Sequence, residues 1–139
     1  IGGSALDNSS DFLSVSTYYG RVEQEISVGQ TVLMSGGGGN DRIESTNFNL
    51  GANNPITAKT VTLQGGDGND FLGAYGNYVN GNVSFSGGNG DDIAYGYQNT
   101  VLGHFVFNGG NGNDLFKDGN IGNTVTGMTV FQSVETIIV

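Results

Sequence analysis

Four copies of a six-residue motif, Gly-Gly-x-Gly-x-Asp, contain the residues of this chain whose types and spacing could do chemistry. The copies begin at residues 36, 65, 87 and 109, and they end in Asp41, Asp70, Asp92 and Asp114. An ionised aspartate supplies a hard, anionic oxygen of the kind that Ca²⁺ prefers. The glycines allow positive φ angles, which turn backbone carbonyl oxygens inward. The motif therefore predicts a calcium-binding turn, whose candidate carbonyl ligands are Gly37, Gly39, Gly66, Gly68, Gly88, Gly90, Gly110 and Gly112.

Three further aspartates are weaker candidates for metal ligands. Asp67 and Asp91 lie inside motifs, and Asp11 precedes Phe12-Leu13 in a stretch similar to Asn69–Leu72. Asp11 could equally be a surface residue of a capping turn. For the motifs themselves the alternative is that glycine and asparagine make tight corners while the aspartates cap backbone amides. Four copies in phase favour the ligand interpretation.

The motif spacing predicts a stacked repeat. The intervals between copies are 29, 22 and 22 residues, a period typical of solenoids. Apolar and polar residues alternate before each motif, as in Val32 and Met34 or Phe105 and Phe107, which indicates a strand with one buried face. Two short strands and two turns fill such a repeat. The expected fold is all-β, a right-handed parallel β-helix or β-roll of about five rungs, with the glycine turns along one edge.

The last three motifs are each followed by a pair of apolar residues, and the orientation of these pairs determines which surface is available to partners. If Leu72, Ala94 and Phe116 point inward, an outward row forms on the surface, consisting of Phe71, Ile93 and Leu115. An exposed apolar row favours self-association, and the open ends of a solenoid offer a second route to it. A shift of one residue in register would instead place the outward row in the core.

The whole chain, residues 1–139, is expected to form one β-roll domain. Residues 1–35 are interpreted as a degenerate capping rung, residues 36–132 as four motif-bearing rungs, and residues 133–139 as a terminal strand or cap. The apolar beginning and end of the sequence suggest a fragment of a larger protein.

The motif resembles the nonapeptide repeat of RTX (haemolysin-type) proteins, Gly-Gly-x-Gly-x-Asp-x-U-x, in which U is a large apolar residue. In this chain U falls on Ile43, Leu72, Ala94 and Phe116. The spacing differs from that family, which usually places its motifs in tandem on both sides of the roll. The resemblance implies calcium binding and an extracellular or cell-surface location in bacteria.

Stacking predicts how calcium would act. Four stacked turns have three gaps, which predicts three Ca²⁺ ions, and Asp11 could add a fourth. Carboxylates about 5 Å apart repel by roughly 3 kcal/mol per pair at an effective dielectric constant near 20. The roll should therefore be loose or unfolded without a cation and folded with one.

Composition excludes several classes of function. Thirteen acidic residues against four basic ones give a net charge of −9, which disfavours nucleic acid as a partner. No apolar run is long enough to cross a membrane. There is no cysteine and one histidine, His104, so a zinc site or a histidine-activated nucleophile has little support. Asp91-Asp92 is not a convincing catalytic pair, because consecutive strand residues face opposite ways.

Two main classes of function remain, and neither makes this chain itself an enzyme. The favoured one is a structural or adhesive repeat module of a secreted or cell-surface protein. The alternative is a calcium-binding appendage or secretion-associated module of an exported enzyme, such as a protease, a lipase or a polysaccharide epimerase or lyase. A third hypothesis, polysaccharide binding, would use tyrosines away from the motifs, Tyr75, Tyr78, Tyr95 and Tyr97.

Overall fold

A computed structural model describes residues 12–18, 21–22, 31–47, 57–118 and 122–139. These residues form an all-β, parallel solenoid of about three turns, which confirms the expected fold class and gives fewer turns than the five rungs expected. Much of the expected first rung, including Asp11, lies outside the described residues. Each turn contains three strands rather than two. Within the described ranges there is no helix that could span a membrane.

The first sheet leads into the glycine motifs and has five parallel strands. In layer order they are β3 (Thr31–Gly38), β6 (Thr60–Asp67), β9 (Val83–Asn89), β12 (Phe105–Asn111) and β15 (Thr129–Gln132). Equivalent positions of the repeat pair directly, so that Val61 lies between Val32 and Val83. The 29-residue and 22-residue intervals therefore keep the same register in this sheet.

The second sheet follows the motifs and has seven strands. They are β1 (Phe12–Tyr18), β2 (Arg21–Val22), β4 (Arg42–Asn47), β7 (Phe71–Tyr75), β10 (Ile93–Tyr97), β13 (Leu115–Asp118) and β16 (Thr136–Ile138). Only β2 pairs in an antiparallel manner, with β1. Each six-residue glycine motif thus spans the end of a strand of the first sheet and the corner that leads to the second sheet.

The third sheet occupies the part of each repeat where the sequence predicts the second of the two turns. Its four strands have two residues each: β5 (Thr57–Ala58), β8 (Tyr78–Val79), β11 (Thr100–Val101) and β14 (Thr124–Val125). The extra length of the irregular repeats falls at the corner before this sheet. Fifteen residues separate the starts of β4 and β5, and nine separate those of β13 and β14, against seven for β7 to β8 and for β10 to β11.

The core is the stack of inward apolar side chains that the alternation predicts. Its fully buried large members include Phe85, Phe105 and Phe107 together with Met34 and Leu63. Phe105 meets Phe85 edge-on at 5.3 Å between ring centroids. Phe116 lies 5.6 Å from Phe105 and so joins the core from the second sheet. Aromatic pairs in this geometry add about 0.5–1.5 kcal/mol beyond the area that they bury.

The register after each motif is also as predicted. Leu72, Ala94 and Phe116 are buried, and the outward row of Phe71, Ile93 and Leu115 lies on the opposite face. Ile93 is 40% exposed, so the alternative register that places it in the core is wrong. The Arg42 guanidinium lies 4.3 Å from the ring centroid of Phe71 and covers one end of the row.

The tyrosines considered for polysaccharide binding lie in two sheets. Tyr75, Tyr95 and Tyr97 belong to the second sheet, and Tyr78 belongs to the third. The rings of Tyr75 and Tyr95 contact each other, with centroids 5.6 Å apart. The ring of Tyr75 also lies over Gly73, where a Cβ atom would come within 2.6 Å of it. Part of this aromatic surface is therefore used in packing on the sheet.

An asparagine ladder, formed by Asn77, Asn99 and Asn123, lines the corner before the third sheet. Asn99 is 1% exposed, and its Oδ1 accepts bonds from both the backbone N–H and the side chain of Asn77. Its Nδ2 donates to Ala74 O and to Asn123 Oδ1, at 2.8 and 2.7 Å. The ladder satisfies polar backbone groups that the sharp corner would otherwise leave buried and unpaired, each worth about 1–3 kcal/mol.

Candidate metal centre

The glycine corner depends on backbone angles that only glycine adopts readily. The second and third glycines of every motif have positive φ, including 121° at Gly88 and 124° at Gly90. A Cβ atom on Gly88 would lie 2.0 Å from the carbonyl oxygen of Gly66 in the preceding layer. The layers therefore approach so closely at this edge that a carbonyl oxygen of one layer occupies the position that a Cβ atom would need in the next layer. The carbonyl groups of the second and third glycines, which the sequence predicts as ligands, contact the equivalent glycines of the next layer.

The four motif aspartates form a column inside this corner, here called the aspartate column. All four are buried, with at most 3% of the side chain exposed. The backbone N–H of Asp41 donates to Asp70 Oδ1 at 2.8 Å, that of Asp70 to Asp92 Oδ1 at 2.8 Å, and that of Asp92 to Asp114 Oδ1 at 2.9 Å. One carboxylate oxygen thus caps the backbone of the preceding layer, which is the amide-capping role that the sequence left open.

The second carboxylate oxygen has a different environment. Among the described residues, Oδ2 of Asp70, Asp92 and Asp114 is buried and has no hydrogen-bond partner. Each of these oxygens lies beside the first glycine of its own motif. A Cβ atom on Gly87 would be 2.2 Å from Asp92 Oδ2 and 2.4 Å from the carbonyl oxygen of Gly109. The missing side chain therefore leaves a cradle lined by a carboxylate oxygen and a carbonyl oxygen of the next layer.

The cradle identifies oxygen atoms that the sequence analysis did not select. The predicted carbonyl ligands were those of the second and third glycines. The carbonyl group that lies beside Oδ2 belongs instead to the first glycine of the next motif. This glycine is Gly87 for Asp70 and Gly109 for Asp92. A repeat pattern alone gives no signal for this difference, because carbonyl direction depends on the neighbouring layer.

Burial makes the charged form of these carboxylates unfavourable. Burial raises the pKa of Asp92 to about 7, against the hydrogen bond from Asp70, which lowers it, and with added repulsion from Asp70 and Asp114. The pKa values of Asp70 and Asp114 are raised as well, again chiefly by burial. A cation beside Oδ2 would remove this penalty by compensating the charge.

The two weaker candidates within the motifs lie outside the aspartate column. Asp67 and Asp91 are exposed, whereas Asp92 is fully buried, so Asp91-Asp92 is not a carboxylate pair. Asp67 Oδ1 accepts a hydrogen bond from Asn89 Nδ2, and Asp91 Oδ1 accepts one from the backbone N–H of Asn113. They belong to outer ladders that tie the layers together.

The aspartate column continues into the last layer through Glu135, which sequence analysis did not select. The backbone N–H of Asp114 donates to Glu135 Oε2 at 2.7 Å. No group of three histidine, cysteine, aspartate or glutamate side chains that could hold a metal occurs in the described part of the chain. A cation at this edge would therefore take carboxylates from adjacent layers and complete its shell with carbonyl oxygens and water.

The raised pKa values predict how stability depends on pH without calcium. The folded-state pKa of Asp92, about 7, exceeds its ordinary value of 3.8, so the folded chain binds a proton more tightly than the unfolded chain. Stability should therefore rise as pH falls from 8 to 5 and decline as pH rises through 7. We expect the chain to retain more β-sheet circular dichroism signal at pH 5 than at pH 8 in calcium-free buffer.

The same experiment with saturating calcium should lose or reverse this trend, because protons then compete with the metal for the carboxylates. A calcium-free chain that is more stable at pH 8 than at pH 5 would show that the aspartate column does not carry this penalty.

Comparison with known proteins identifies no relative: no family model matches the chain, and no curated protein or solved structure is significantly similar to it.

Proposed function

We propose that this chain is a calcium-binding structural or adhesive repeat module of a secreted or cell-surface bacterial protein, which folds and stiffens when it binds external calcium. The observation that carries the proposal is the pair of buried Oδ2 atoms of Asp70 and Asp92, which have no hydrogen-bond partner among the described residues and lie beside a glycine cradle lined by a carbonyl group of the next motif. The motif's resemblance to the RTX repeat supports the same cation, and the 22-residue parallel solenoid is compatible with a β-roll repeat.

The residues present fit calcium in the type of their donor atoms. Ca²⁺ takes six to eight oxygen ligands from carboxylates, backbone carbonyls and water. Asp70 and Asp92 would contribute carboxylate oxygens, and the carbonyl groups of Gly87 and Gly109 lie beside them. The ion would supply positive charge where the chain buries negative charge. We propose about three such ions, one for each gap between adjacent motifs.

This arrangement couples folding to calcium concentration. The cradles exist only when two layers are stacked, so the unfolded chain has no comparable site. A ligand that binds only the folded state stabilises it by about 2.7 kcal/mol when present at a hundred times its dissociation constant. Several ions bound in one column would multiply that effect. External calcium would then decide whether the solenoid is folded and stiff.

Hydrogen bonds between the layers of the described residues support the role of a scaffold. Polar side chains at all three corners donate to or accept from the next layer, as Asn99 does with Asn123 and Asn82 does with His104. Repeated layer-to-layer bonding of this kind makes a solenoid rigid along its axis. A rigid spacer or an adhesive stalk would use that property directly.

Removing calcium tests the proposal. We expect chelation with EGTA to abolish most of the β-sheet circular dichroism signal at pH 7.5, and millimolar calcium to restore it. Sodium chloride of equal ionic strength controls for simple charge screening and should restore much less. A far-ultraviolet spectrum and a melting curve that do not respond to chelator would contradict the proposal.

A further inference from the structure

We infer that the last turn of the solenoid forms an additional divalent-cation site from Asp114, Glu135 and the carbonyl group of Ser133, although this turn lacks the glycine motif. The inference rests on the proposed function, because the site would bind the same cation at the end of the same column. It adds a ligand set that the repeat pattern does not contain.

Glu135 occupies the next position of the aspartate column. The backbone N–H of Asp114 donates to its Oε2 at 2.7 Å, as that of Asp92 does to Asp114 Oδ1 at 2.9 Å. The backbone repeats the same relation, since the N–H of Thr136 donates to Asp114 O at 3.1 Å and that of Leu115 donates to Asp92 O at 2.9 Å. The terminal layer therefore places a carboxylate where each inner layer places an aspartate.

A longer side chain compensates for a shorter turn. Asn108 pairs with Gln132, so Ser133 stands opposite Gly109 at the start of the corner. Leu115 pairs with Thr136 in the same way; between these paired positions the inner layer has six residues, Gly109–Asp114, and the terminal layer has three, Ser133–Glu135. Ser133 takes a positive φ of 48°, which is uncommon for a residue with a side chain. The additional methylene of glutamate lets its carboxylate reach the column from this tighter turn.

The cradle is preserved in the terminal layer. A Cβ atom on Gly109 would lie 2.3 Å from Asp114 Oδ2 and 2.2 Å from Ser133 O. The equivalent oxygens beside Gly87 are those of Asp92 and Gly109, at 2.2 and 2.4 Å. Asp114 is 1% exposed, and its Oδ2 is buried without a hydrogen-bond partner among the described residues. Ser133 thus replaces a motif glycine without removing its carbonyl group from the cradle.

The donor atoms define the class of cation. Two carboxylates and a carbonyl group are all hard oxygen donors, which suit Ca²⁺ better than metals that prefer nitrogen or sulfur. Glu135 is exposed, so this site is open to water on its outer side. It should therefore exchange its ion more readily than the sites between motifs.

Counting bound ions tests the inference. Calcium is titrated into the chelator-treated chain by isothermal calorimetry, and bound ions are counted by native mass spectrometry. Glu135→Gln keeps an oxygen that can accept the Asp114 N–H bond and removes only the charge. We expect it to bind one calcium ion fewer than the parent. Glu135→Asp keeps the charge but shortens the side chain, and it should lose the same ion.

The control variant is Asp118→Asn, which removes one negative charge from the layer of Asp114 and keeps the oxygen that accepts the bond from Asn123 Nδ2. It should bind as many ions as the parent. If Glu135→Gln and Glu135→Asp both retain the full number of ions while the parent binds calcium, the inference fails alone. A parent that binds no calcium overturns the proposed function and the inference with it. If Glu135→Gln does not fold in calcium, the count for Glu135→Asp decides.

Discussion

Replacing Gly88 with alanine should destabilise the solenoid by about 3 kcal/mol or more, the range of a strained backbone position combined with an unavoidable clash. Gly88 has φ of 121°, and the added Cβ would lie 2.0 Å from Gly66 O. That oxygen belongs to the backbone of a paired strand, so it cannot move without breaking the register between two layers. Urea denaturation in saturating calcium measures the loss.

Gly122→Ala is the matched control. The nearest atom to its Cβ would be Asp118 Oδ2 at 3.4 Å, an ordinary contact distance. The free energy of unfolding should change by no more than about 0.5 kcal/mol. If Gly88→Ala were as stable as Gly122→Ala, the close stacking of backbone at the glycine corner would be wrong.

Asp92→Asn should change stability in opposite directions with and without calcium. Asparagine keeps the Oδ1 that accepts the Asp70 N–H bond and replaces the unpartnered Oδ2 with a donor beside Gly109 O. Without calcium the variant should therefore be more stable than the parent by about 1–3 kcal/mol at pH 7.5, because a buried charge is removed. With calcium it should be less stable, because an anionic ligand of the column is lost. The β-sheet circular dichroism signal that each chain retains in EGTA, and melting curves in millimolar calcium, measure the two effects.

Asp91→Asn makes the same charge change one residue away and serves as the control. Asp91 is exposed, and asparagine keeps the oxygen that accepts the Asn113 N–H bond. Its effect should stay within about 0.5 kcal/mol in both conditions. A destabilised Asp92→Asn chain in EGTA would mean that the carboxylate acts only as a cap for the preceding layer.

Much of the core and of the aspartate column could be predicted, because the same pattern of apolar residues, glycines and aspartates recurs in each layer. The resemblance to the RTX repeat places a large apolar residue at the second position after each motif, which is Ile43, Leu72, Ala94 or Phe116 in this chain, and all four are buried. Asp92 is buried beside an exposed Asp91, the arrangement that strand alternation predicts, although both residues lie in the corner between β9 and β10. Alternation is informative wherever a strand has five or more residues.

The features that sequence analysis missed are those that depend on short segments or on neighbouring layers. The strands of the third sheet have two residues each, which is too short for any alternation to appear. Asn77 and Asn99 recur at equivalent positions, but asparagine is also a common turn residue, so its type did not indicate a buried ladder. Glu135 was missed because the terminal corner is three residues shorter than the motif and contains no glycine.

The corner between the second and third sheets has a use that follows from its uneven length. The chain has lengthened its repeat there twice, between β4 and β5 and between β13 and β14, while the first and second sheets remain in register on both sides. The aspartate column lies at a different corner, so added residues leave its spacing unchanged. A foreign peptide grafted at this corner of successive layers would be displayed in a line whose interval is fixed by strand pairing, about 4.8 Å per layer. The solenoid would then present binding epitopes at a fixed spacing, and under the proposed function its folding would depend on calcium.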